Sequence, residues 1–379
     1  MIWRSNRRQF LTGALAAAGG VVQPITSNAL ESAESLAALA EPAPGVAKLN
    51  ANENPFGPSP AAKRAIEESA TYGSRYITNN FKRLAEMIAE RHGLTTDHVA
   101  LSAGSSGVLT QLTVAASRNG HILMPNLFWD TTCKAAERQG AKLERMPQTQ
   151  DFAIDIDGML ERIDGTGLVQ VTNPNNPTGL LLDPARLRQF CIAAAKKTIV
   201  LVDEAYNEIT EDPDGNSMVD LVRDGHSVAV SRTFSKIYGL AGMRIGYMIS
   251  TPEIIEKVEQ YNIGNYVMNQ AGISAALACY EDEDFIKRSR QEILEARQIV
   301  EDGLKANGLD YIPSHTNFIF VNLGTLNAEN FRVAMKERGV IIHGIYRDYT
   351  HYSRVSMGRL ADVRKYVENL PKVLDALRQ

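Results

Sequence analysis

A chain of 379 residues with 44% hydrophobic side chains holds enough apolar material for a large core divided over two subdomains. The formal charge of −4 and a pI near 6.0, with Lys and Arg dispersed along the chain, exclude a nucleic-acid footprint. Cys133, Cys191 and Cys279 are an odd set without a CxxC pair, which excludes a disulfide framework or a thiolate zinc site.

The N-terminus reads differently from the rest. NRRQFLTGALAAAGGVVQP sets Arg7 and Arg8 before a short Ala/Gly-rich apolar run that ends near Pro24. A charged segment before a run too short and glycine-rich to span a bilayer is the pattern of a secretory signal. The paired arginines followed by Phe10 and Leu11 resemble the twin-arginine export signal, with an ordinary basic tail as the competing reading. The expectation is a signal peptide over 1–29, cleaved near Ala29, a linker over 30–45, and a periplasmic mature protein with no membrane span.

From residue 81 onward, helical periodicity alternates with short β-rich runs. FKRLAEMIAERHG (81–93) spaces Leu84, Met87 and Ile88 along one helix face and stops at Gly93. Residues 121–125, 141–147, 167–174, 198–205, 227–233 and 245–250 read as strands, with helical stretches such as 128–139 and 183–197 between them. Such alternation predicts βαβ units and a doubly wound, mainly parallel sheet, so the fold class is α/β. After about residue 268 the texture becomes α+β, with helices over 268–281, 283–307, 328–338 and 361–377 and strands over 316–323 and 352–358. The expected division is an N-terminal arm over 46–78, a large domain over 79–267 and a small domain over 268–379.

Ligands of doubly wound sheets sit at the carboxyl ends of strands, so the residues following each strand matter. TNPNNPTG, with Asn176, follows one strand; alone, it is also an ordinary turn. DEAY follows TIVLV and puts Asp203 at a strand end with Tyr206 three residues on, where Asp203 alone is also a plain helix cap. SRTFSKIYGLAGMRIGY (231–247) combines Lys236 with three glycines and Arg244, too glycine-rich for a good helix or strand. SAGSSG precedes a helix in the 108–118 region and offers Ser105 and Ser106 as a helix-N-terminal anion nest.

Together these four sets fit one cofactor chemistry. The Lys236 amine forms an imine with an aldehyde cofactor, and pyridoxal 5′-phosphate adds a dianionic phosphate, a pyridine nitrogen and a phenolate. Ser105, Ser106, Thr233, Ser235 and Arg244 are the phosphate ligands. Asp203 keeps the pyridine nitrogen protonated, and Asn176 and Tyr206 donate to the phenolate.

The same residues carry a resemblance. KLNANENPFGPSP (48–60), SRY (74–76), AGSSG, NPNNPTG, VDEAY, TFSKIYGLAGMRIGY, HTNFIF (315–320) and SRVSMG (353–358) resemble the fold-type-I pyridoxal-phosphate aminotransferases, and within them the histidinol-phosphate aminotransferase branch. The similarity runs from about residue 46 to the C-terminus. It implies that Lys236 is the Schiff-base lysine and proton shuttle and that Arg354 binds the substrate α-carboxylate. It implies a homodimer with shared active sites in which Tyr76 reaches the neighbouring subunit's phosphate, and a substrate entrance lined by Asn52 and the 48–58 segment. An aromatic ring stacks on the pyridine in this family. Here the corresponding loop reads PNLFWD (125–130), with Trp129 as first candidate and Phe128 as second.

Four positions depart from the branch. Ile77 follows Tyr76 in place of proline, Gly107 replaces an acidic residue, and Arg359 follows Gly358 in place of a small hydroxyl. His343 stands where an arginine usually helps to hold the substrate phosphate, so His343 is a pocket residue without a catalytic role. The expectation is an aminotransferase acting on an amino acid and a 2-oxo acid other than the branch's own substrate. A lyase or decarboxylase on the same fold, or a binding protein without turnover, are the alternatives. No metal is expected.

Overall fold

The computed structural model describes residues 43–378; the expected signal peptide and all but the end of the expected linker lie outside the described residues. The strands in chain order are β1 Ala47–Leu49, β2 Val99–Ser102, β3 His121–Pro125, β4 Leu143–Met146, β5 Thr166–Thr172 and β6 Ile199–Asp203. They continue with β7 Val228–Thr233, β8 Gly246–Ser250, β9 Tyr311–Ile312, β10 Phe318–Asn322, β11 Val340–Ile342 and β12 Tyr352–Ser356.

Seven of them form one sheet in the order β4-β3-β5-β6-β7-β8-β2. The five from β4 to β7 are parallel, and β8 alone is reversed, antiparallel to both β7 and β2. That single reversal has a positional consequence. The carboxyl ends of β2, β3, β5, β6 and β7 share one edge with the amino end of β8, so segments far apart in sequence converge there. The register sets Thr172, Asp203 and Ser231 side by side and Gly246 opposite both Thr233 and Ser102. All of β5 and β7 is buried, as expected for central strands covered on both faces.

Helices pack on this sheet with local signals that explain their boundaries. Pro184–Ala194 starts with Asp183 accepting from the Arg186 amide and proline in the first turn, and Pro60–Ser69 repeats the arrangement with Ser59 and Pro60. Helix Asn79–Arg91 buries Leu84, Met87 and Ile88, the face that the periodicity predicts. The helix expected near 108–118 is Ser105–Ala116 and begins three residues earlier, because Gly104 at φ 78 turns the chain directly out of β2.

A second layer contains the antiparallel sheet β12-β10-β9 and the parallel pair β1–β11. The long helices Glu283–Ala306 and Leu360–Arg378 pack against each other beside it. Strands β1, β2 and β11 carry no alternating pattern long enough to read as strands, and they are found only through their pairing. Among the described residues no helix is long and apolar enough to cross a membrane.

Candidate active site

The glycine-rich stretch after β7 is a compact loop anchored by its own apolar residues. Phe234 is buried against the rings of Tyr238, Tyr247 and Tyr280, and its amide donates to Ile245 O at 3.0 Å. Gly239 has φ +70, and a Cβ there would lie 2.1 Å from Gly57 O. Glycine alone meets both demands. The loop thereby turns the Lys236 side chain into a cavity of about 420 Å³ at the converging strand ends.

Asn52, Ser105, Ser106, Trp129, Asn176, Asp203, Tyr206, Thr233, Ser235, Lys236, Arg244, His343 and Arg354 all line this cavity. Tyr76 lies elsewhere, 79% exposed, with its ring edge-on to Tyr266. Of the two aromatic candidates, Phe128 is buried against Met124 and Cys133, whereas Trp129 faces the cavity.

Lys236 Nζ donates to the backbone carbonyl of Asn52 at 2.9 Å. Burial first, and then the Arg354 charge, lower its pKa to about 8. Asp203 ends β6 and accepts from Ser231 Oγ at 2.7 Å, while burial raises its carboxyl to about 6. The Tyr206 hydroxyl accepts from Asn52 Nδ2 at 2.9 Å and Asn176 Nδ2 at 3.3 Å. Its own proton is engaged in neither bond, and burial holds the phenol near 12.

At the other side of the cavity lies an anion cradle. Arg244 Nη1 reaches Ser235 Oγ at 3.4 Å and Nη2 reaches Ser106 Oγ at 3.3 Å. Thr233 Oγ1 donates to Ser235 Oγ at 2.9 Å. Ser105 and Ser106 open a twelve-residue helix with no acid in its first turn, so backbone N–H groups, hydroxyls and one guanidinium converge. A Cβ on Gly246 would stand 2.0 Å from the Ser105 amide nitrogen, and one on Gly104 would stand 2.1 Å from Arg244 Nη2. Gly107, a departure from the branch pattern, has a local reason: a Cβ there would meet Ser102 Oγ at 2.7 Å. That hydroxyl donates to Gly104 O and accepts from the Val108 amide.

This donor set fits pyridoxal 5′-phosphate: a cradle for a dianion, a buried carboxylate for a protonated heterocycle, two polar side chains for a phenolate and a neutralisable amine. A single ligand of that charge pattern satisfies all four.

Arg354 lies on β12, opposite Phe320 of β10, and is 4% exposed. Its guanidinium carbon is 5.4 Å from the ring centres of both Phe318 and Tyr346. Nη1 donates to Asn176 Oδ1 at 2.9 Å and to the Tyr346 hydroxyl, and Nη2 to Asn50 O at 3.0 Å. These partners are all neutral, and Nε is buried without one. A buried cation held only by neutral groups is a receptor for an anion.

Tyr346 and Asn50 also line the cavity; Asn50 falls within the 48–58 segment expected at the substrate entrance, whereas Tyr346 escaped the reading of the sequence. Tyr346 lies in an irregular stretch between β11 and β12 with no periodic pattern. Its one signal is the aromatic density of YRDYTHY (346–352) next to Arg354.

Comparison with known proteins agrees with this geometry. The family described as "Aminotransferase class I and II" matches residues 44–370. A histidinol-phosphate aminotransferase of Shouchella clausii (strain KSM-K16) is 32% identical over 335 residues, 88% of this chain and 90% of that protein. An aromatic amino acid aminotransferase of Rhodococcus jostii (strain RHA1) is 33% identical over 302 residues, 79% of this chain and 83% of that one. The crystal structure of histidinol-phosphate aminotransferase from Sinorhizobium meliloti in complex with pyridoxal-5′-phosphate superposes with a TM-score of 0.80. It is 28% identical and covers 88% of this chain and 92% of that one. The chain therefore belongs to the class I and II aminotransferases and is a pyridoxal-5′-phosphate-dependent enzyme of that family.

Proposed function

We propose that this aminotransferase exchanges the amino group of an α-amino acid with a 2-oxo acid, and that both substrates enter with their α-carboxylate on Arg354. The observation that carries this reading is the buried guanidinium with an unpartnered Nε at the wall of the Lys236 cavity. Bound pyridoxal 5′-phosphate supplies an aldehyde for amine exchange and a ring that withdraws electrons from the α-carbon. The chain's own residues do the rest. Ser105, Ser106, Thr233, Ser235 and Arg244 would hold the phosphate, Asp203 the protonated heterocyclic nitrogen, Asn176 and Tyr206 the phenolate, and Trp129 would supply the aromatic contact to the ring. Lys236, with a pKa near 8, is partly neutral at physiological pH, and its Nζ takes the proton from the substrate α-carbon and returns it. Residues 79–267 carry the cofactor in this reading, and residues 268–379 with the 46–78 arm bring the carboxylate receptor.

A purified, cofactor-loaded sample given a panel of amino acids with and without a 2-oxo acid tests the proposal. Continued turnover requires the acceptor; carbon dioxide release without one would identify a decarboxylase instead.

Solvent-facing Tyr72, Tyr76, Ile263, Tyr266 and Val267 support a homodimer in which Tyr76 completes the neighbour's phosphate site. Sedimentation, and complementation between Tyr76→Phe and Lys236→Ala subunits, test it. The Arg7–Arg8 segment supports export to the periplasm, which cell fractionation with N-terminal sequencing tests.

A further inference from the structure

The wall of the cavity beside Arg354 is formed by two rings. His343 and Tyr346 stack with centroids 4.5 Å apart and planes 17° from parallel. The tautomer of His343 follows from its partner: Nδ1 lies 2.8 Å from Gly344 O, a carbonyl that only accepts, so Nδ1 carries the proton and Nε2 is an acceptor. Burial, and then the Arg354 charge, lower the His343 pKa and keep the ring neutral. Tyr346 is fixed in turn by its hydroxyl, which bonds to Arg354 and Asn176.

The charges around the cavity complete the argument. Of its cations, Lys236 and Arg244 serve the cofactor and Arg354 serves the α-carboxylate. The remaining charged lining residue outside the cofactor set is Glu53, itself paired with Lys48 at 2.7 Å. No cation is left among the described lining residues for a second anion. A flat neutral group, in contrast, meets an aromatic wall and one ring-nitrogen acceptor.

Resting on the aminotransferase reading, we infer that the His343–Tyr346 pair is the specificity wall of this enzyme, selecting substrates with an uncharged, flat, hydrogen-bond-donating side chain, of the tyrosine or histidine kind. It disfavours side chains ending in a carboxylate or phosphate, so glutamate is a poor donor.

Calorimetry with unreactive carboxylates tests the wall apart from turnover. The cofactor-loaded protein is titrated with 3-(4-hydroxyphenyl)propionate and with glutarate, and the single-turnover loss of visible cofactor absorbance is followed with tyrosine, histidine, glutamate and O-phosphoserine. The expected result is a preference of about tenfold or more for the aromatic member in both assays. His343→Arg is expected to move the ratio toward glutarate by about tenfold, and Tyr346→Leu to weaken the aromatic ligand about threefold to tenfold. Equal or tighter binding of glutarate by the wild type, or an unchanged ratio in both variants, overturns the assignment. Analogue discrimination without amine transfer to any acceptor would instead overturn the aminotransferase reading and leave the wall standing.

Discussion

Lys236 Nζ and the backbone carbonyl of Asn52 meet at 2.9 Å, although 184 positions separate them. The Asn52 side chain extends the contact, donating to the Tyr206 hydroxyl at 2.9 Å and accepting from Ser356 Oγ at 2.6 Å. One buried asparagine thus joins the lysine, the phenol and the β12 strand that bears Arg354. Lys236→Ala is expected to lower kcat by about 10⁴ or more, since a proton-transfer group and the covalent anchor vanish together. Borohydride treatment followed by peptide mass analysis should then find no cofactor at position 236. Asn52→Ala should leave the attachment intact and lower kcat/KM by about tenfold, the worth of one or two buried hydrogen bonds.

The pH dependence of cofactor capture follows from two groups. Lys236 must be neutral to attack the aldehyde, so capture by cofactor-free protein is expected to rise with pH through about 8. Asp203 must be ionised to hold a protonated heterocycle, so affinity should fall as pH drops below about 6. The lysine also affects folding. Its pKa is below the usual 10.5, so the unfolded chain binds the extra proton between about 8 and 10.5, and the cofactor-free protein gains stability from it as pH rises across that window. Stopped-flow absorbance and urea midpoints at several pH values measure the two effects; a flat capture rate from pH 6 to 9 would contradict the first.

Arg354 offers a sharper test because its described partners are neutral. Arg354→Ala is expected to cost about 2–5 kcal/mol in kcat/KM for carboxylate-bearing donors. The loss should be small for the corresponding amines that lack a carboxylate. Equal losses for both kinds of donor would mean that the guanidinium is structural.

Glycine at 246 leaves room for the anion cradle, since a Cβ would collide with the backbone of Ser105 rather than with a movable side chain. Gly246→Ala is expected to weaken pyridoxal-phosphate affinity by a factor of about 100, measured by equilibrium dialysis, with near-native circular dichroism.

Beneath the site, Arg232 donates through Nε and Nη2 to Glu204 Oε2 at 3.1 and 2.8 Å, with both side chains buried. Arg232→Met leaves Glu204, and Glu208 at 3.8 Å, without their ion-pair partner and should cost about 3–5 kcal/mol of stability in urea unfolding. Adding Glu204→Leu should restore much of that loss.

The parts of this protein that were legible in sequence share a physical reason. Asp203 closes a strand, and Lys236, Asn176 and Ser105 follow strands at the same sheet edge, so local chemistry and the strand-end rule located them without any knowledge of packing. The α/β class was visible because TIVLV and its neighbours are buried on both faces and therefore continuously apolar. Tyr346 was not legible, because an irregular segment carries no period and only the strands that flank it, β11 paired with β1 and β12 paired with β10, bring it to the cavity. Gly107 was an unexplained departure until Ser102 was seen to fill the space of its missing side chain.

The bond from Arg354 Nη2 to Asn50 O spans 304 positions of the chain. A ribosome must therefore release the chain through Arg354 before the carboxylate receptor exists, while the lysine loop and its cradle gain their last packed ring once Tyr280 has emerged. Nascent chains cut short between Tyr280 and Arg354 should capture the vitamin yet fail to bind amino acids, so loading and competence mark two separate moments in the protein's synthesis.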